Sequence, residues 1–368
     1  MPLADSVWAG LGWAAGALPA SWVAPGPRMQ TAADVLIHGA SAGEVKAARA
    51  VREVLLAHAP GRRVVITTGT AAGLLAGADA RLPRDVPRHL EAALDAVRPQ
   101  ALVLIEGEIW PNLLQVAARR RLPVGVLGAR LSERSSRAHR IVSHSARGWF
   151  GAPAAWAAAT QDDATRLGQA GVPVDRIAVT GWLKWPAEEP IPEDPVRRAL
   201  LASHGAAGPL FVLGSVHPGE VAVARRHLTG TRLDPARSRW LVVPRHPGAA
   251  ARIRRELPVS AVIDPRFGVL RAWFGVADAA LVGGGLAGRG THDLLEPLQA
   301  GLRPLCFAGK PDGVSRLLLA QGLAVALGSD PGRALERAPG AWEGLRAAHD
   351  GRLTGLQFLA LRGLKALS

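Results

Sequence analysis

Short apolar runs alternate with amphipathic stretches along most of the chain, and that alternation leaves few folds open. Residues 35–38, 64–67, 101–105 and 123–127 are short and mostly apolar, the pattern of strands buried on both faces. Between them, residues 43–58 carry Val45, Ala48, Val51 and Leu55 at helical spacing. Residues 90–97 are helical, and 111–121 open on a proline that suits a first helical turn. Such a strand–helix alternation predicts a parallel sheet with helices on both faces.

The pattern stops at 185–195, where WPAEEPIPEDP holds four prolines and four acids and reads as a linker. It then restarts, with strands expected at 210–213, 240–243, 261–263, 279–282 and 304–307. Helices are expected at 219–227, 249–256, 293–300 and 314–321. A length of 368 residues fits two domains at roughly 150 residues each. The expected division is an apolar N-terminal segment at 1–30, a first doubly wound unit at 31–185, and a second at 186–368 that includes C-terminal helices. Ligands of such sheets sit at the carboxyl ends of strands, so a cleft faced by both units is the expected site.

Charge narrows the partner class. The net charge is +14, split as +7 up to Trp185 and +7 beyond it, so it is neither a tail nor an arm. Only Lys46, Lys184, Lys310 and Lys365 are lysines; the rest of the excess is Arg, whose fork grips phosphates and carboxylates. The densest run lies at 119–147, including Arg130 and Arg134, and suits either a solvated helix face or an anionic surface. Residues 6–27 carry no charge and hold three tryptophans, but prolines break them before the roughly 20 residues a bilayer span needs. They read as a packed helix or a membrane-interface segment. One cysteine, Cys306, excludes a disulfide framework, and metal-binding motifs are missing. Modules that bind nucleic acid interleave basic and aromatic residues, a pattern this chain lacks.

Polar residues cluster at expected strand ends. Glu44 opens a helix after a Gly-rich turn, where the helix dipole stabilises an anion. Glu106 and Glu108 directly follow an apolar strand. In the second half Ser215 and His217 follow one strand, and Arg245 and His246 follow another. His292, Asp293 and Glu296 surround a helix start after the Gly283-Gly284-Gly285 loop. Together they suit a phosphate cradle with a ribose acceptor, and glycine loops let backbone N–H groups approach an anion. Residues 39–43 also match G-x-S-x-G, which would make Ser41 a hydrolase nucleophile, although no oxyanion segment precedes it.

The motifs that carry these residues resemble those of 3-deoxy-D-manno-octulosonic acid (Kdo) transferases, inverting glycosyltransferases of the GT-B fold. The resemblance runs from about His38 to Pro311. It is carried by HGASAGEV (38–45), ITTGTAAG (66–73), PRDVPRHL (83–90), LVLIEGEIWPNLL (102–114) and GARLSERSSRAHR (128–140). VTGWLKW (179–185), GSVHPGE (214–220), VVPRHP (242–247) and the stretch from Ala277 to Pro297 complete it.

The resemblance implies an α/β GT-B protein, two Rossmann-like domains facing a central cleft. Its implied reaction transfers Kdo from CMP-Kdo to a lipid A precursor in lipopolysaccharide biosynthesis. Glu44 would be the general base, with Glu106 and Glu108 beside the acceptor. Ser41, Gly43, Arg130 and Arg134 would lie on the acceptor side of the first unit. Ser215, His217, Arg245, His246, Gly284, Gly285, His292, Asp293 and Glu296 would hold CMP. No metal or other cofactor is implied. The implied partners are a CMP-sugar, an anionic lipid A-like acceptor and the cytoplasmic face of the inner membrane, with no nucleic acid. Departures from the family pattern are Asp293 and Trp182, each where Asn is frequent, and Thr70-Ala71-Ala72-Gly73 in place of T-P-T-G. They motivate an alternative, a divergent GT-B transferase with another CMP-activated acidic sugar or another acceptor.

Overall fold

A computed structural model of the protein describes residues 32–107, 110–131, 152–185, 194–203, 208–286, 291–307, 309, 311 and 313–368. The N-terminal segment at 1–30, Glu108, Arg134 and most of the linker lie outside the described residues. The chain forms two compact units, one comprising Met1–Lys184 with His349–Ser368, the other Trp185–Ala348.

The first unit is built on a seven-stranded parallel sheet: β1 (Val35–His38), β2 (Val64–Thr68), β3 (Ala80–Arg81), β4 (Ala101–Ile105), β5 (Val124–Ala129), β6 (Ala155–Ala158) and β7 (Ile177–Val179). Its order is β3-β2-β1-β4-β5-β6-β7. β1, β4, β5 and β6 are buried at every residue, as a sheet covered on both faces requires. Alternate residues feed two cores: Leu36, Leu102 and Leu104 pack on one face, Val35, Ile37 and Val103 on the other.

The second unit repeats the plan with six parallel strands: β8 (Leu210–Val216), β9 (Arg239–Pro244), β10 (Val262–Ile263), β11 (Ala279–Val282), β12 (Leu305–Cys306) and β13 (Val325–Ala326). Their order is β10-β9-β8-β11-β12-β13. Each unit therefore starts in the centre, winds to one edge, then returns and winds to the other. The reversal falls between β1 and β4 in the first unit and between β8 and β11 in the second. Outside the carboxyl ends of those pairs is where doubly wound sheets bind ligands. The free thiol of Cys306 is buried in β12.

The expected boundary at 185/186 falls one residue after the observed one, but the assignment of everything beyond it to the second unit is corrected. The last twenty residues return to the first unit. Helix Gly351–Leu361 packs on β5, β6 and helix Ala42–His58. Leu356, Leu359, Leu364 and Leu367 complete the core face begun by Val35 and Ile37. Gly125 makes room, since a Cβ there would stand 2.8 Å from Leu359. The returning segment is pinned at Trp182, whose N–H donates to the His349 carbonyl (2.7 Å) while its own carbonyl accepts from Gly351 (2.9 Å). The Trp182 indole, 5% exposed, stacks on the His349 ring. That packing gives the indole a structural place where the family's Asn is frequent.

Part of the basic run is also matched by acids rather than open to a partner. Arg119 pairs with Glu91 (2.9 Å) and Arg120 with Asp95 (2.8 Å), both on helix Pro87–Val97. Among the described residues no helix is long and apolar enough to cross a membrane.

Candidate active site

At the end of β1 the chain turns sharply into helix Ala42–His58. Gly39 permits the turn, because a Cβ there would lie 2.9 Å from the Glu44 backbone. Ser41 caps the helix, accepting from the Glu44 N–H (3.2 Å) and donating its hydroxyl to Glu44 Oε1 (2.7 Å). Glu44 Oε2 accepts from the Ala40 N–H (2.9 Å). This is a variant of the capping box, with the carboxylate reaching back to the residue before the cap. The hydroxyls of Thr68 and Thr70 both donate to the Ala40 carbonyl at 3.0 Å, so the ITTGT segment holds this turn. Thr70 also caps helix Ala71–Leu75, so the missing proline of that motif leaves a working helix start.

This geometry removes the hydrolase alternative. The Ser41 backbone is ordinary extended chain (φ −104°, ψ 164°), not the strained turn of a nucleophile elbow. Its hydroxyl is engaged with Glu44, and the imidazole of His38 turns instead to Thr67 Oγ1 (3.1 Å). His38 is fully buried, packs edge-on against Trp110, and its Nε2 has no hydrogen-bond partner. Burial holds its pKa down at about 4.

Glu106 directly follows β4 with a left-handed backbone (φ 63°), a costly conformation for a residue with a side chain. Its N–H donates to Leu127 and its carbonyl accepts from Arg130, so β5 and the residue after it lock the turn. Its carboxylate meets Lys184 Nζ at 2.6 Å. Lys184 was not among the expected site residues. The available signal was its rarity, as one of four lysines in a chain that otherwise uses arginine. The ammonium also lies beside the helix start, where a Cβ on Gly43 would be in ordinary contact with Nζ at 3.5 Å. The structure therefore gathers Ser41, Gly43, Glu44, Glu106 and Lys184, with the Arg130 backbone adjoining Glu106.

In the second unit Ser215 is 8% exposed and left-handed (φ 53°), at a bulge where the β8–β9 register shifts. The turn after it carries His217, whose Nε2 lies 3.0 Å from His292 Nε2. One imidazole must then offer a proton and the other a lone pair. His246 stands 6.0 Å from His217, ring centre to ring centre, and both Arg245 and His246 are exposed after β9. Glu296 lies half-buried in the first turn of helix Leu295–Gln299. Asp293 Oδ1 accepts from the Leu295 N–H (2.8 Å), so this departure from the family's Asn is used in a turn.

The expectation for the glycine loop needs correction. The Gly284 N–H does not stand open for an anion but donates to the Glu220 carboxylate (2.9 and 3.1 Å). Gly284 itself needs its left-handed backbone (φ 103°), and Gly285 touches Phe307, where a Cβ would come within 2.7 Å. Glu220 is the second residue that sequence reasoning missed, although it lies within a quoted motif. Among the described residues, no group of three or more His, Cys, Asp or Glu side chains is placed to hold a metal ion.

Two doubly wound units, each with polar side chains gathered outside its reversal point, define a GT-B protein. Solved structures agree on the fold. The UDP-GlcNAc 2-epimerase of Methanocaldococcus jannaschii superposes with a TM-score of 0.60 at 12% identity, covering 89% of this chain and 99% of that one. The glycotransferase of kitacinnamycin gives 0.57 at 15%, covering 91% and 100%. Epimerase and transferase share this architecture, so the fold alone does not choose the activity.

Sequence relatives do choose. A family model described as 3-deoxy-D-manno-octulosonic-acid transferase matches residues 17–187. The 3-deoxy-D-manno-octulosonic acid transferase of Bordetella pertussis is 30% identical over 76% of this chain and 71% of its own length. That of Haemophilus influenzae is 27% identical over 72% and 68%. The chain belongs to the Kdo transferase family and is a glycosyltransferase.

Proposed function

We propose that this protein transfers Kdo from CMP-Kdo to a hydroxyl of an anionic lipid A precursor, in lipopolysaccharide biosynthesis at the cytoplasmic face of the inner membrane. Membership of the family supports the sugar. The observation that carries the mechanism is Glu44, a carboxylate held at the end of β1 by one amide and one hydroxyl. In this reading Glu44 takes the proton from the acceptor hydroxyl as its oxygen bonds to the anomeric carbon of Kdo. The bond from that carbon to the phosphate breaks, and CMP leaves with the electron pair. A single displacement of this kind inverts the anomeric carbon.

Glu106 and Lys184 order the acceptor side as a close pair, one able to accept from a sugar hydroxyl and the other to neutralise a lipid phosphate. On the donor side, Arg245 supplies positive charge, and His246 with the His217–His292 pair supplies ring N–H donors, to the leaving phosphate. Ser215 and Glu296 offer hydrogen bonds to the nucleotide. The reading takes no metal, so turnover should persist in EDTA.

The test is incubation with CMP-Kdo and a tetra-acylated lipid A precursor, following CMP release and the mass of the glycolipid. Absence of product from folded protein rejects the assignment. Product from another CMP-activated acidic sugar alone moves it to a different donor.

A further inference from the structure

Glu220 is 2% exposed and opens helix Glu220–Leu228 directly after the β8 turn. A carboxylate there commonly serves the open amides of its own helix. Here Glu256, from outside the helix, already serves them, accepting from Gly219 N–H (2.7 Å) and Ala222 N–H (3.3 Å). Glu220 turns the other way. It accepts from the His217 N–H (2.9 Å), from Gly284 N–H on the loop after β11 (2.9 and 3.1 Å), and, at 3.5 Å, from Leu286 N–H. The fit is close: a Cβ on Gly283 would lie 2.6 Å from Glu220 Oε2 and 2.5 Å from the Ser215 carbonyl oxygen.

We propose that Glu220 is the positioning residue of the donor site, a buried carboxylate that locks the His217 turn to the loop at 283–286 and so sets the spacing of the imidazoles that meet the donor. This rests on the reading that the second unit holds a CMP-sugar. The two loops carry the two rings. His217 sits on the turn after β8, and His292 N–H donates to the Gly283 carbonyl (3.0 Å), tying the second ring to the other loop. The brace therefore fixes the 3.0 Å contact between His217 and His292. It also keeps the Gly284 amide occupied, leaving the donor's anionic groups to side chains.

Every partner of the Glu220 carboxylate is an N–H donor, which yields a distinctive test. A glutamine of the same shape must point an NH₂ at a backbone N–H, so it cannot substitute. In full-length Glu220→Gln, hydrogen-exchange mass spectrometry of the peptide covering 279–286 should show exchange roughly ten- to a hundredfold faster, the loss expected for hydrogen bonds to a charged group. CMP dissociation constants, read by calorimetry, should rise at least about tenfold, while the KM for the lipid acceptor stays put. Glu220→Asp keeps the charge but shortens the reach, and should weaken CMP binding less than Gln does. A folded Gln variant with wild-type exchange and wild-type CMP affinity overturns the proposal. If the Gln variant does not fold, wild-type CMP affinity in Glu220→Asp overturns it. If wild-type protein binds no CMP, the nucleotide reading fails alone, and the exchange rates still decide whether Glu220 is a brace.

Discussion

Glu44 and Glu220 occupy the same topological place, the first turn of the helix that follows the first central strand of their unit, yet their carboxylates meet different partners. The partners of Glu44 include the Ala40 amide and the Ser41 hydroxyl, which can rotate to donate or accept. Glu220 is bound by backbone amides alone and is more deeply buried. A hydroxyl partner tolerates a change of protonation at the carboxyl group; a ring of N–H donors does not. The repeated fold thus makes one carboxylate suited to proton transfer and the other to holding loops. A second contrast runs parallel. The first unit ends β1 with a buried, neutral His38, whereas the second gathers three imidazoles at partly or fully exposed positions.

The contrast between units can be broken most severely by truncation after Ala348. This removes Leu356 and Leu359 from the first core, each worth about 2 kcal/mol in burial. The first unit should lose its cooperative thermal transition while Trp185–Ala348 still binds CMP; loss of both together would mean the units are not separately stable. Next is Glu44→Gln, expected to lower turnover by roughly a hundred- to ten-thousandfold, the usual contribution of a general base. CMP affinity should be unchanged, the reverse of what Glu220→Gln should do. Lys184→Met removes the partner of Glu106 and should lower turnover roughly tenfold with little change in CMP affinity.

The last prediction concerns pH and reads stability rather than turnover. His38 titrates near 4 in the folded protein against an ordinary 6.5, so the unfolded chain binds the proton first. Its contribution is intact above pH 6.5 and is lost as pH falls toward 4, on the order of 3 kcal/mol over that window. Denaturant unfolding at several pH values should show a flatter decline in His38→Asn.

Strand and helix positions were legible because buried parallel strands are short apolar runs and their helices keep a 3.6-residue rhythm. β1, β4 and β11 match their expected bounds residue for residue. β3, β6, β7 and β13 were missed: β3 and β13 are two residues long, β7 is only partly buried, and the alanine-rich run of β6 lacks β-branched residues that favour strands. The motifs gave Ser41, Gly43, Glu44 and Glu106 on one side and Ser215, His217 and His292 on the other, because residues a few positions apart at a strand end must stay together.

The sequence by itself determined two doubly wound units, the family, and the polar residues at strand ends, all properties of local pattern. Tertiary structure alone decided which groups meet across long stretches of chain. Lys184 reaches Glu106, Glu220 reaches Gly284, and His349–Ser368 returns to cover Gly125. Such pairings leave no periodic trace, because what selects them is packing and the need of each buried polar group for a partner.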